Sequence, residues 1–118
     1  MNGHRVFLLA VALAPAWAGA TSRAAHTAAS AAAKPARELA VAIDGMRFSP
    51  ATLALKPGDR VTWVNKDLVP HTVTARDGRF DSRTIAAGAS FTWTATGSGR
   101  IEYACLYHPT MVATLTLP

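Results

Sequence analysis

Three residues with metal-binding side chains lie close together near the C-terminus. Cys105, His108 and Met111 form a Cys-x-x-His-x-x-Met motif, and His71, 34 positions before the cysteine, is the only other histidine from residue 38 onward. Thiolate and thioether groups favour Cu(I), imidazole binds both Cu(I) and Cu(II), and a trigonal His₂Cys set with a weak axial methionine is typical of copper sites that transfer electrons. The spacing therefore predicts one copper ion held by His71, Cys105, His108 and Met111.

Each of these residues also has an ordinary structural explanation. A single cysteine is often a small buried apolar side chain, and Met111 could fill the core at the start of a strand. A lone histidine is often exposed or hydrogen-bonded within the protein. The four together nevertheless use almost every sulfur or imidazole group of the C-terminal part of the chain, which favours a metal site. Zinc also accepts a His₂Cys set, so the ligands alone leave the metal open.

The N-terminus has the pattern of a secretory signal peptide over residues 1–20. Arg5 precedes an apolar run, Val6 to Ala14, that is too short to cross a bilayer, and small residues at Ala18 and Ala20 suit a signal peptidase. We expect cleavage near Ala20 and a soluble periplasmic or secreted protein with no membrane anchor. Export makes the single Cys105 informative, because an unpaired thiol in an oxidising compartment is lost to oxidation unless it is buried or bound.

Residues 21–37 differ from the rest of the chain in composition. They are rich in alanine and contain no large apolar side chain, which predicts a flexible tail that contributes nothing to a core. The chain has a formal net charge of +5, but residues 38–118 contain eight basic and seven acidic residues. The folded part is therefore nearly neutral, and no nucleic-acid partner is expected.

Residues 38–118 consist of short runs of alternating apolar and polar residues separated by turns. This pattern, with no helical period, predicts an all-β fold: an antiparallel Greek-key β-sandwich or barrel of seven to eight strands. The expected strands are Leu39–Ile43, Met46–Phe48, Thr52–Leu55, Arg60–Asn65, His71–Ala75, Ser90–Thr94, Ile101–Tyr103 and Met111–Leu117. The segment 81–88 has no clear assignment. Because Cys105 follows one strand and Met111 begins the next, their loop can gather three ligands, and His71 can approach from a neighbouring loop.

Several motifs in this region resemble the plastocyanin-like blue copper proteins, the cupredoxins, and most of all the amicyanin type. The similar stretches are Phe48–Leu53, Lys56–Asp59, Val61–Asn65, Pro70–Val73 and Tyr103–Met111. The resemblance implies a β-sandwich with one type 1 copper near one end and a role as a soluble electron shuttle. It implies no enzymatic activity.

Two positions depart from the pattern of these proteins. Thr72 stands where relatives have an asparagine whose side chain ties the two ligand loops together, and we expect the hydroxyl to keep part of that tie. Tyr107 stands where relatives of the amicyanin type often have proline. Unlike proline, Tyr107 has a backbone N–H. We hypothesise that this N–H donates to the Cys105 sulfur and raises the reduction potential.

The residues flanking the two histidines predict how partners would bind. An apolar rim around an exposed edge of His108 suits brief contact with redox proteins, and a monomer is expected. The rim residues are Leu68, Val69, Pro70, Leu106, Tyr107 and Pro109. The competing functions are copper storage, delivery or sensing with the same ligands, and metal-free adhesion, which leaves the motif unexplained. A copper enzyme with further copper centres would need additional histidines that residues 38–118 lack.

Overall fold

The computed structural model of the protein describes residues 12–14, 16, 19 and 36–118. The predicted signal peptide and tail lie almost wholly outside these residues. Within these residues eight strands occur: β1 (Glu38–Ile43), β2 (Phe48–Ser49), β3 (Thr52–Ala54), β4 (Arg60–Asn65), β5 (Thr74–Ala75), β6 (Ser90–Thr94), β7 (Gly99–Ala104) and β8 (Val112–Leu117). The described part of the chain contains no helix long and apolar enough to cross a membrane. The predicted all-β sandwich is confirmed.

The strands form two four-stranded sheets, ordered β2-β1-β4-β6 and β3-β8-β7-β5. The strand directions differ from the purely antiparallel arrangement that we predicted, because β1 pairs in parallel with β4, and β3 pairs in parallel with β8. Between β1 and β4 the chain runs through β2, in the first sheet, and β3, in the second, and this long connection allows a parallel pair. Parallel pairing brings Ile43 and Asn65, the last residues of β1 and β4, to the same end of the sandwich.

The core between the sheets is aromatic at its centre. Trp63 on β4 is fully buried, and its ring centroid lies 5.5 Å from that of Phe80 and 5.6 Å from that of Tyr103. The Trp63 indole N–H donates a hydrogen bond to the Tyr103 hydroxyl over 3.2 Å. Burial raises the pKa of Tyr103 to about 12, so the hydroxyl remains protonated. The alternation predicted for β4 is correct, because Val61 and Trp63 are buried whereas Thr62 and Val64 are partly exposed.

The segment around His71 is less regular than predicted. Only Thr74 and Ala75 of the expected strand 71–75 form β5, whereas His71 makes an isolated bridge with Ile85. The segment 81–88, which had no assignment, contributes this bridge and a second one between Asp81 and Thr74. His71 is therefore held in a loop by two backbone hydrogen bonds with Ile85, of 3.1 and 2.7 Å, rather than by a strand.

At the end of the sandwich where β4 begins, a buried carboxylate binds several neighbouring groups. Asp59 accepts hydrogen bonds from the backbone N–H groups of Lys56, at 2.9 Å, and Arg37, at 3.2 Å. It also pairs with the Arg37 guanidinium at 2.7 Å. The Arg37 side chain and these N–H groups lower the pKa of Asp59 to about 2. Arg37, the last residue of the predicted tail, is thus bound to the folded part of the chain.

Candidate metal centre

Two histidine nitrogens and one cysteine sulfur converge at the opposite end of the sandwich. The Cys105 Sγ lies 3.8 Å from the Nδ1 of His71 and 3.8 Å from the Nδ1 of His108, and the two nitrogens are 3.2 Å apart. His71 and Cys105 are almost completely buried, whereas His108 is partly exposed. The predicted residues His71, Cys105 and His108 are therefore brought together, with their donor atoms facing one point.

The size of this triangle suits a single transition-metal ion. With metal–nitrogen distances of about 2.0 Å and a metal–sulfur distance of about 2.3 Å, a trigonal ion separates the nitrogens by about 3.5 Å and each nitrogen from the sulfur by about 3.7 Å. The observed edges of 3.2 and 3.8 Å are close to these values. Two imidazoles and a thiolate in one plane form the donor set of a type 1 copper site.

The loop between β7 and β8 places Cys105, His108 and Met111. Cys105 directly follows β7, and Met111 directly precedes β8. The Cys105 N–H donates to the Met111 carbonyl at 3.1 Å, and the Met111 N–H donates to the His108 carbonyl at 2.9 Å. These bonds fold the loop back on itself and join the backbone of Met111, whose side chain is buried, to the backbones of Cys105 and His108.

Thr72 joins the two ligand loops. Its backbone N–H donates to the Cys105 Sγ over 3.3 Å, and its hydroxyl oxygen accepts the Leu106 N–H at 2.8 Å. The same hydroxyl lies 3.1 Å from the Thr74 hydroxyl, which gives its own proton an acceptor. The loop tie that we expected from a hydroxyl at this position is therefore present, with Thr72 buried.

Tyr107 does not play the role that we hypothesised. Among the described residues, Thr72 supplies the backbone N–H that reaches the Cys105 sulfur, and no such bond comes from Tyr107. The Tyr107 side chain instead points along the surface, where its hydroxyl bonds the hydroxyl of Thr84. The ring is half exposed. Tyr107 thus contacts the segment before β6 rather than the sulfur, and a higher potential cannot be attributed to its N–H.

Asp67 and Asn65 support the first histidine, and sequence reasoning missed both. The Nε2 of His71 lies 2.8 Å from the Oδ2 of Asp67. The Met46 N–H and the His71 ring lower the pKa of Asp67, although partial burial opposes them. The buried Asn65 donates to the carbonyls of Val69, at 2.9 Å, and Ile85, at 3.0 Å, which fixes the course of the loop. The i,i+4 spacing of Asp67 and His71 was the available signal, but within a loop such spacing does not by itself place two side chains together.

Several apolar residues in and near the two ligand loops are exposed. Leu68 is 95% exposed, and the other large apolar residues that are exposed within residues 36–118 lie in or beside the same loops. They are Met46, Val69, Leu106, Tyr107 and Val112. Pro70 and Pro109 are exposed as well. The residues of the predicted rim are therefore exposed, and among the described residues no large apolar side chain such as that of Leu68 is exposed beside Asp59.

Comparisons with known proteins place this architecture in a family. A family model described as a cupredoxin-like domain matches residues 8–117, and the chain belongs to this family. Amicyanin from Paracoccus versutus is 28% identical over 82 residues, which cover 65% of this chain and 62% of that protein. Amicyanin from Paracoccus denitrificans is 30% identical over 78 residues, which cover 62% of this chain and 60% of that protein. The matches thus span less than two thirds of the length of these relatives.

A solved structure gives the same result for the fold. The Cu(I) form of a methionine-to-alanine variant of amicyanin superposes with a TM-score of 0.64 at 26% identity, over 76% of this chain and 89% of that one. The resemblance to cupredoxins of the amicyanin type is confirmed. Together with the trigonal donor set, it also confirms the predicted cofactor, one type 1 copper ion.

Proposed function

We propose that this protein is an exported electron carrier in which His71, Cys105, His108 and Met111 bind one type 1 copper ion. The observation that carries the proposal is the triangle of two Nδ1 atoms and one Sγ, with edges of 3.2 to 3.8 Å, on a cupredoxin framework. Copper supplies a one-electron change between Cu(II) and Cu(I). Met111, placed by its backbone bonds beside His108 and Cys105, is the proposed weak axial ligand.

The residues around the triangle limit how far the site rearranges when its charge changes. The backbone N–H of Thr72 stabilises negative charge on the Cys105 sulfur, and the Thr72 hydroxyl keeps the two loops together. His71 is fixed on one side by Ile85 and on the other by Asp67. A rigid set of ligands favours rapid electron transfer, because little structural change accompanies it. The burial of Cys105 and His71 also excludes solvent and opposes the loss of the metal.

The site has one edge through which electrons can enter and leave. His108 is the only one of the three triangle residues that is not fully buried, and exposed apolar residues surround it. We propose that soluble redox proteins bind there transiently, to a monomer. A small apolar surface gives complexes that form and separate quickly. The absence of further histidines in residues 38–118, which other copper centres would need, supports a carrier rather than an enzyme.

Addition of Cu(II) to the purified full chain tests the proposal. The expected result is an intense blue thiolate-to-copper absorption that saturates at one copper per chain and disappears on reduction. A colourless protein whose Cys105 is alkylated equally fast with and without copper would refute it. Zinc, which accepts the same donor set, should compete for the site but give no colour.

A variant of the exposed rim tests the partner surface separately. Leu68→Ala should leave the absorption spectrum unchanged, because its side chain is 95% exposed, and should slow electron exchange with a redox protein. The matched control is Lys56→Ala, which changes an exposed residue at the Asp59 end. Equal rates for the two variants and the wild type would place the entry surface elsewhere.

The proposed maturation follows from the sequence alone. Residues 1–20 would be removed as a signal peptide, residues 21–37 would form a tail, and residues 38–118 would form the copper domain in the periplasm or outside the cell. Sequencing the N-terminus of the protein recovered from an exporting host tests this. A mature start near Thr21 is the expected result, and recovery of the intact chain from the cytoplasm alone would contradict it.

A further inference from the structure

We infer that Asp67 is a positioning residue that sets the tautomer of His71 and, through its charge, lowers the reduction potential of the site. The inference rests on the proposed function, because it concerns the same copper ion. It goes beyond that proposal by naming a residue that is not a ligand and by assigning it an effect on the balance between Cu(II) and Cu(I).

Asp67 makes three hydrogen bonds that determine its orientation. Its Oδ1 accepts the Gly45 N–H at 2.8 Å, and its Oδ2 accepts the Met46 N–H at 3.0 Å. The same Oδ2 lies 2.8 Å from the Nε2 of His71, whose side chain is fully buried. Asn65 completes the arrangement by accepting the Asp67 N–H at 3.0 Å. The carboxylate is thus held between the β1–β2 turn and the ring of His71.

These contacts decide which nitrogen of His71 carries the proton. Both Asp67 oxygens already accept backbone N–H groups, from Gly45 and Met46, so the carboxylate is the acceptor and the Nε2 of His71 is the donor in this bond. A neutral His71 ring then has an unprotonated Nδ1, and this atom faces the Cys105 sulfur and His108. Asp67 therefore prepares the lone pair that a metal requires, and hydrogen bonds of this kind raise the basicity of the ligand.

The charge of Asp67 acts in one direction on the metal. A negative group separated from the ion by a single imidazole ring stabilises Cu(II) more than Cu(I), because Cu(II) carries the larger charge. Among the described residues, no lysine or arginine forms an ion pair with Asp67. The side chain is only 14% exposed, which limits screening by solvent.

The β1–β2 turn is shaped around this carboxylate. Gly45 and Met46 have φ angles of +62° and +61°, in the left-handed region that a methionine rarely adopts. Their successive N–H groups point to one side and form a concavity that binds an anion. Met46 is strained although it has no part in the core, and its N–H binds the carboxylate that contacts His71. This combination indicates that the turn positions Asp67.

Asp67→Asn tests the inference directly in the copper-loaded full chain. Asparagine removes the charge, and its amide cannot accept all three hydrogen bonds. We expect Cu(II) affinity to fall about 10- to 100-fold and Cu(I) affinity to change less. A tenfold loss confined to Cu(II) raises the midpoint potential by about 59 mV. Asp67→Glu, which keeps the charge, should remain closer to the wild-type potential.

The matched control is Asp59→Asn, which removes a carboxylate with two backbone N–H partners at the other end of β4. It should lower the stability of the fold and leave the potential unchanged. Equal losses of Cu(I) and Cu(II) affinity in Asp67→Asn, with an unchanged potential, would show that Asp67 is merely structural and would overturn the inference. Failure of the wild type to form a blue site would instead refute the proposed function.

A measurement on the wild type covers the case in which Asp67→Asn does not fold. Nitrogen-15 NMR of the metal-free protein, under conditions where the ring of His71 is neutral, should show the proton on Nε2 and none on Nδ1. A proton on Nδ1 would overturn the inference, because Asp67 would then not determine the tautomer.

Discussion

The two ends of β4 carry similar aspartates with different consequences. Asp59 precedes the strand, Asp67 follows it by two residues, and each accepts two backbone N–H groups that hold a turn. The third partner differs: it is the Arg37 guanidinium for Asp59 and the ring of His71 for Asp67. Six strand residues, or about 20 Å, separate the two ends.

This difference shows that an aspartate bound to the backbone of a turn can serve either stability or function. At the Asp59 end the carboxylate attaches the start of the domain to β4, and its surroundings contain no exposed large apolar residue. At the site end the same kind of carboxylate orients a candidate ligand, and exposed apolar side chains such as Leu68 lie nearby. The sandwich separates the contacts of Asp59 from the candidate copper site. Substitutions at the two ends should therefore have independent effects on stability and on copper binding.

The largest expected effect is at the site end. Cys105→Ser should abolish the blue absorption completely, because the charge-transfer band requires a thiolate on copper. The apoprotein should keep its fold, since serine is close to cysteine in size. Absorption spectra with Cu(II), together with circular dichroism of the metal-free protein, check both parts. A variant that remains blue would show that Cys105 is not a copper ligand.

A second prediction concerns acid unfolding at the Asp59 end. The pKa of Asp59 is lowered from 3.8 to about 2 in the folded protein, so its contribution to stability is complete above about pH 4 and is lost as the pH falls toward 2. Asp59→Asn should therefore lower the stability at neutral pH and flatten its decline between pH 4 and pH 2. Urea unfolding of the metal-free protein measures this.

The control for this measurement is Asp77→Asn, which removes a more exposed carboxylate paired with Arg79. Its stability profile in acid should follow that of the wild type more closely. If the two variants gave the same profile, the bond between Asp59 and Arg37 would not be what secures this end.

A smaller effect is expected from Thr72→Val. Valine has a similar shape but leaves the Leu106 N–H without its acceptor, which costs about 1–3 kcal/mol when a group is buried. Copper release should accelerate, because the two ligand loops separate more easily. The matched control is Thr62→Val, which removes an exposed hydroxyl pair with Thr92 on the sheet. Equal release rates in both variants would argue against Thr72 as the tie.

The smallest expected effect is that of Tyr107→Phe. Its hydroxyl contact with Thr84 is exposed, so its loss should cost about 0.5 kcal/mol and leave the potential unchanged. Voltammetry and thermal unfolding provide the two readings. The variant keeps the Tyr107 backbone N–H, so a clear fall in potential would show that the hydroxyl contact with Thr84 influences the copper site.

The sequence predicted most of the fold because alternation and turn residues report on local structure. Val61 and Trp63 were assigned correctly to the inner face of β4, and the span of that strand is correct. The parallel pairing of β1 with β4 could not be foreseen, because strand direction depends on long connections rather than on local pattern. The length of the predicted strand 71–75 was overestimated for a related reason, since His71 pairs only with Ile85, in an isolated bridge outside the two sheets.

The candidate site, like the fold, was only partly predictable from the sequence. Cys105, His108 and Met111 are near one another in the chain, and His71 was the remaining histidine, so their types and spacing were sufficient for the prediction. Asp67 was not identified, because its role depends on a turn more than twenty residues earlier that presents the Gly45 and Met46 N–H groups to it. Residues that position ligands through distant backbone atoms leave no spacing pattern in the sequence.

Voltammetry of the copper-loaded full chain in the presence of a Cu(I) chelator tests the central claim most directly. It also separates an electron carrier from a protein that stores or delivers copper with the same ligands. We expect a reversible one-electron wave that persists over many cycles with one copper retained per chain. Loss of the wave as the chelator removes Cu(I), or no reversible wave at all, would contradict it.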